Sequence, residues 1–141
     1  MTTASTAKHD PTTALVVDDD PFMLELIGEM LGELGIETVC TAKNGDEATR
    51  HIDRAATMPG IVVCDLNMPT SDGFLFMEAL AARRYKGGVI LMSGMDSRTL
   101  HSATLMARFH RLLILGTLPK PLDRKALSSA LERLPRHVGS T

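Results

Sequence analysis

An α/β fold, with a parallel five-stranded sheet and helices on both faces, is predicted by three features of this sequence. Five short apolar runs alternate with five segments of helical periodicity, the rhythm of repeated βα units. The chain has 141 residues, enough for one such domain with one sheet. Four of the apolar runs stop on polar or charged side chains, as strands do when their carboxyl ends carry a site. Right-handed crossovers would bring all five strand ends to one edge.

The elements follow in order. Residues 1–11 are Thr-, Ala- and Ser-rich and are expected to form a mobile tail. Ala14-Leu15-Val16-Val17 reads as a buried strand that runs into Asp18-Asp19-Asp20. Pro21 suits a first helical position and Asp20 a cap. Met23, Ile27, Met30, Leu31 and Leu34 then recur at helical spacing opposite Glu25, Glu29 and Glu33, and Gly35 is the stop. Ile36 to Ala42 is the second strand. Asp46 is expected to cap a second helix to about Ala56, carrying Ala48, Ile52 and Ala55, with Met58-Pro59-Gly60 as its breaker. This helix has the least apolar surface of the five.

Ile61 to Asp65 is the third strand, followed by a turn-rich loop, Asn67-Met68-Pro69 and Ser71-Asp72-Gly73. Phe74 to about Arg84 is the third helix, with Phe76, Met77 and Leu80 inward. Val89 to Met92 is a fourth strand ending at Ser93-Gly94. Asp96 or Ser97 opens a fourth helix to about Phe109. Leu112 to Leu118 is a fifth strand ending at Pro119-Lys120-Pro121. Asp123 is expected to cap a fifth helix with Ala126, Leu127, Ala130, Leu131 and Leu134 on one stripe. Pro135 ends it, and residues 136–141 form a tail. The expected domain is therefore 12–135.

Composition excludes several classes of function. A net charge of -2 gives no electrostatic footing for nucleic acid or an anionic membrane. No apolar run approaches the roughly 20 residues of a membrane span. The start, MTTASTAKHDPTT, lacks a secretory core, so the expected location is the cytoplasm. Cys40 and Cys64 have no metal or redox spacing and sit in strand-like runs, as reduced core residues. The histidines show no ligand spacing.

The strand ends carry the chemistry. Asp18-Asp19-Asp20, Asp65, Ser93 and Lys120 all arrive at one edge. Each has an ordinary explanation alone: a cap, a turn former, a Lys-Pro before a helix. Their convergence favours a site. Two unit charges about 4 Å apart repel by roughly 4 kcal/mol at an effective dielectric of about 20, so clustered acids need a cation. Carboxylate and turn-carbonyl oxygens suit Mg²⁺. A lysine and a hydroxyl beside them describe a phosphoryl-transfer site. With no GxxxxGK[ST] loop in the chain, an acid is the expected acceptor.

LVVDDDP, VCDLNMPTSDG, LMSG and LPKP, in this order and spacing, strongly resemble the receiver domain of two-component response regulators. The resemblance runs over about residues 13–134. It implies the doubly wound, flavodoxin-like sheet of order 2-1-3-4-5, for which the chemotaxis receiver is a standard example. It implies Asp65 as phosphoacceptor from a sensor histidine kinase or phosphotransfer protein. It implies Mg²⁺ held by Asp18, Asp19, Asp65 and the Asn67 backbone carbonyl, with Asp19 the direct ligand of the acidic pair and Asp18 acting through water. Ser93 matches the switch hydroxyl, Lys120 the phosphoryl-contacting lysine, and Gly94 the small residue beside the acceptor. The Lys120-Pro121 bond is expected to be cis. Phosphorylation would then bias a surface of the fourth helix, fifth strand and fifth helix toward an unidentified downstream partner or a phosphorylation-dependent dimer.

Two positions depart from the family pattern. Thr117 stands where an aromatic switch residue is common. Met95 stands where a polar side chain would position an attacking water, which implies slow self-dephosphorylation. MSGMDSRTL with LGTLPKPL is also similar to receivers of EAL-type response regulators. The alternative from a different class is a haloacid-dehalogenase-like phosphatase, with Asp18 as nucleophile and Asp20 as acid. Pro21 after the DxD and the short chain stand against it. A receiver that serves as a constitutive interaction domain is a third reading, opposed by the complete set of site residues.

Overall fold

A computed structural model describes residues 9–68, 72–94 and 111–135. Five strands, β1 (His9–Val17), β2 (Thr38–Ala42), β3 (Met58–Asp65), β4 (Gly88–Ser93) and β5 (Leu113–Pro119), form one sheet in the order β2-β1-β3-β4-β5. Every pairing is parallel. The described helices are α1 (Pro21–Glu33), α2 (Gly45–Arg54), α3 (Asp72–Ala82) and α4 (Arg124–Glu132). The predicted sheet order is thus observed. The helix expected from Asp96 or Ser97 to Phe109 lies outside the described residues, as does Met95.

Period-two alternation divides the strands between two cores. Leu15, Val17, Val62, Cys64, Val89 and Leu91 pack with α2 and α3 side chains such as Ile52, Phe76, Met77 and Leu80. Ala14, Val16, Ile61, Val63, Ile90 and Met92 pack with Ile27 and Leu31 of α1 and Leu127 and Ala130 of α4. Both faces are covered, which is why the strands read as continuous apolar runs and not as alternating ones.

Several boundaries differ from expectation, each for a local reason. β1 begins at His9, so residues 9–11 are strand and not tail. The Asp10 carboxylate accepts from the Thr12 N–H and hydroxyl, and the His9 ring packs against Tyr85 at a tilt of 57°, centroids 5.4 Å apart. Met58-Pro59-Gly60 opens β3 and does not merely break a helix. His9 and Asp10 pair with Met58 and Pro59, and the register slips before Ala14 pairs with Ile61. Pro11 and Pro59 have no N–H to give a ladder, so the sequence signal there is a breaker's. The Tyr85 hydroxyl instead donates to the Pro59 carbonyl at 2.6 Å.

Caps were also redistributed. Asn44, not Asp46, caps α2: its Oδ1 accepts from Glu47 N at 2.8 Å, while Glu47 Oε1 accepts from Lys43 N. The helix ends at Arg54, before Ala56. Its small apolar stripe suffices because Ala48 and Ile52 are fully inserted, and an Ile at full burial contributes about 2 kcal/mol. β2 is shorter than predicted and starts at Thr38. Asp20 caps α1 through the Phe22 N–H, as expected. Asp123 occupies the cap position of α4 but makes no side-chain capping bond. Gly35 takes the left-handed conformation predicted for the stop, with φ 103°.

Candidate functional site

The strand order creates the site. The order in which strands are added reverses between β1 and β3, the topological switch point, and a crevice opens outside their carboxyl ends. Val17 pairs with Cys64, so the next residues, Asp18 and Asp65, are neighbours. Asp18 stays in place because its N–H donates to the Ala42 carbonyl of β2 at 3.1 Å. Leu66 N–H donates to Met92 O at 2.9 Å and extends the β3–β4 ladder past Asp65. A Cβ at Gly73 would collide with the Asp65 carbonyl, so glycine lets the start of α3 press against the end of β3.

Lys120 reaches this pair from the end of β5, two strands from β3 and three from β1. Its N–H continues the β4–β5 ladder to the Ser93 carbonyl at 2.8 Å, which fixes where its side chain begins. The ammonium then donates to Asp65 Oδ2 at 2.8 Å and to Asp18 Oδ2 at 3.0 Å. The other carboxylate oxygens are held by backbone. Asp18 Oδ1 accepts from Asp20 N at 2.9 Å, and Asp65 Oδ1 from Asn67 N at 2.8 Å. The bond between Lys120 and Pro121 is cis, as expected.

Burial sets the electrostatics. Asp18 is fully buried and Asp65 nearly so. Burial raises the Asp18 pKa and the Asp65 charge adds to the rise, against the opposing pull of the Asp20 N–H and Lys120. Burial draws the Lys120 ammonium downward, but its bonds to Asp65 and Asp18 outweigh that and the net shift is upward. Burial also pushes the Cys64 thiol up, so it remains a protonated core residue.

Asp18, Asp19 and Asp65 offer carboxylate oxygens that all lie within 4.8 Å of one another. Three carboxylates against one ammonium leave an excess of two negative charges. Hard oxygen donors with that excess fit a divalent cation such as Mg²⁺. Asp20 is not in this cluster; its exposed carboxylate caps α1. Ser93 is buried at the end of β4, and its hydroxyl contacts the Gly94 carbonyl at 3.3 Å. Thr117 lies on β5, half-buried, opposite Leu91.

One member of the site is not legible in the sequence. The resemblance assigns Asn67 a role through its backbone carbonyl, but its side chain also accepts a hydrogen bond from Gly94 N through Oδ1. An Asn in a turn is usually read as a turn former, and nothing in its spacing shows a partner 27 residues away.

A family model of the response regulator receiver domain matches residues 14–132. This chain belongs to that family. The receiver is 32% identical over 124 residues to a positive alginate biosynthesis regulatory protein of Pseudomonas aeruginosa, covering 86% of this chain and 46% of that protein. It is 28% identical to the chemotaxis protein CheY of Treponema pallidum, covering 88% of this chain and 81% of CheY. The receiver thus spans about half of the first relative and most of the second. Among solved structures, a response regulator from Colwellia psychrerythraea superposes with a TM-score of 0.69 at 25% identity, over 87% of this chain and 95% of that one. The receiver is a two-component signalling domain, and membership in this family removes the dehalogenase-like alternative. No helix among the described residues is long and apolar enough to cross a membrane.

Proposed function

We propose that this receiver accepts a phosphoryl group on Asp65 from a phosphohistidine of a sensor kinase or phosphotransfer protein. The observation that carries this reading is the Lys120 ammonium shared between two buried carboxylates, Asp65 and Asp18, beside a third acid. Asp18, Asp19, Asp65 and the Asn67 carbonyl would hold Mg²⁺. When bound, that ion neutralises the acids and the charge on the transferring phosphoryl group.

The protein's own groups supply the rest. An Asp65 oxygen attacks phosphorus; the phosphorus–nitrogen bond of the donor breaks, and the imidazole leaves with its bonding pair and takes up a proton. Backbone N–H of Asn67 orients the carboxylate. Lys120 exchanges a carboxylate partner for a phosphoryl oxygen, which is a charge-assisted bond of similar kind. Ser93, buried one strand away, supplies a hydroxyl to another oxygen. An acyl phosphate brings a charge comparable to the roughly -1.5 to -2 of a phosphorylated hydroxyl. The load is relieved by drawing Ser93 and Lys120 inward, which shifts a pre-existing equilibrium of the surface above β5 and α4. Thr117 cannot report this through an aromatic rotamer. The output is altered binding to a downstream partner or a second copy, in the cytoplasm.

Intact-mass measurement after incubation with acetyl phosphate and Mg²⁺ tests the reading: one phosphoryl group should be gained. Met95 offers no polar group to position water, so the adduct should persist for minutes or longer after donor removal. A lifetime of seconds would contradict this.

A further inference from the structure

We propose that the Asn67 carboxamide is a latch on the phosphoryl site, occupying a backbone donor that the acyl phosphate needs and so limiting how fast Asp65 is charged. The inference rests on the reading of Asp65 as phosphoacceptor and concerns how that site is regulated.

Asn67 touches both sides of the crevice. Its N–H donates to Asp65 Oδ1 at 2.8 Å, and its Oδ1 accepts the Gly94 N–H. One residue therefore ties the acceptor carboxylate at the end of β3 to the first residue beyond β4. Ser93, immediately before Gly94, directs its hydroxyl to the Gly94 carbonyl. Both donors of this corner, the Ser93 Oγ–H and the Gly94 N–H, are thus engaged by neutral protein acceptors.

A phosphoryl group on Asp65 presents three strong acceptor oxygens within the same crevice. Lys120 already faces Asp65 and serves one of them. The others need donors from the β4 corner, because a buried anionic oxygen without a partner is costly. A single N–H cannot serve Asn67 Oδ1 and a phosphoryl oxygen at full strength together. Charged acceptors make stronger bonds than a carboxamide, so the phosphoryl group prevails once formed. Before then, opening the Asn67–Gly94 bond adds to the barrier.

The nearest atoms to a Cβ at Gly94 would be Asn67 Oδ1 and Cγ, at 3.5 and 3.7 Å, which is ordinary contact. The contact between Asn67 and Gly94 that the structure shows is this hydrogen bond, so loss of the carboxamide should free the Gly94 N–H. Asn67 is a positioning residue in this account, and its carbonyl, the proposed metal ligand, survives substitution.

The experiment compares wild type and Asn67→Ala for the initial rate of phosphoryl gain from acetyl phosphate at saturating Mg²⁺, where the acetyl oxygen–phosphorus bond breaks, an Asp65 oxygen–phosphorus bond forms, and acetate leaves. The alanine variant should be faster by about fivefold, the rate equivalent of one hydrogen bond of about 1 kcal/mol. In parallel, beryllofluoride is titrated into ¹⁵N-labelled wild type. The Gly94 amide and the Asn67 carboxamide resonances should shift together as the bond between them is exchanged. Wild type that gains no phosphoryl group would refute the reading of Asp65 and the latch with it. Normal charging of wild type, with Asn67→Ala equal or slower, would refute the latch alone. Should the variant not fold, unchanged Gly94 and Asn67 resonances in beryllofluoride-bound wild type would refute it equally.

Discussion

Lys120→Met should destabilise the domain by about 3 kcal/mol at neutral pH without divalent metal, read from urea unfolding, because it removes the ammonium shared by two buried carboxylates. The side chain of Lys120 is 22% exposed, so water screens part of its interaction and the lower end of the usual cost for a broken buried pair applies. The loss should depend on pH in a defined direction. Asp18 has a native pKa above its unfolded value, mainly from burial. Such a carboxyl costs stability above its native pKa and gives it back as pH falls through that value. Without Lys120 the native pKa rises further, so the difference between variant and wild type should shrink on acidification. Millimolar Mg²⁺ should also restore stability, since a cation again faces the acids. A loss that ignores both pH and Mg²⁺ would mean that Lys120 acts only through packing.

Asp18→Asn should weaken Mg²⁺ binding about 10–100-fold, the usual cost of removing a group that supports a metal through its outer shell. Mg²⁺-dependent gain in melting temperature is a suitable measurement. Protons and metal compete for the wild-type carboxylate. Because the Asp18 pKa is raised, Mg²⁺ affinity should begin to fall at a higher pH than an ordinary Asp would cause. The Asn variant should lose that part of the pH dependence. Equal Mg²⁺ affinity in both proteins would remove Asp18 from the metal site.

The sheet and the polar residues at its strand ends were legible because their signals are local. Strands buried on both faces write continuous apolar runs, and Asp18, Asp65, Ser93 and Lys120 are simply the residues at which those runs stop. What could not be read depends on partners distant in sequence. His9 to Pro11 look like tail until Tyr85 and β3 are in place. Met58-Pro59-Gly60 carries breaker residues, yet its register against β1 makes it strand. Leu66 and Met68, in a loop rich in turn formers, are core residues packed with α3. The choice of Asn44 over Asp46 as cap turned on two residues of equal capping propensity on either side of Gly45. The Asn67 side chain belongs to the same class: a polar group whose role appears only when β4 is laid beside β3.

The central claim is that Asp65 is the nucleophile toward phosphorus while Asp18 and Asp19 serve the metal. The most direct measurement is chemical mapping of the adduct: acetyl phosphate labelling in Mg²⁺, borohydride reduction of the acyl phosphate, and peptide sequencing by mass spectrometry. Reduction should convert position 65 alone to homoserine, and Asp65→Asn should carry no adduct. Homoserine at position 18 or 19, or a label that survives in Asp65→Asn, would contradict the account.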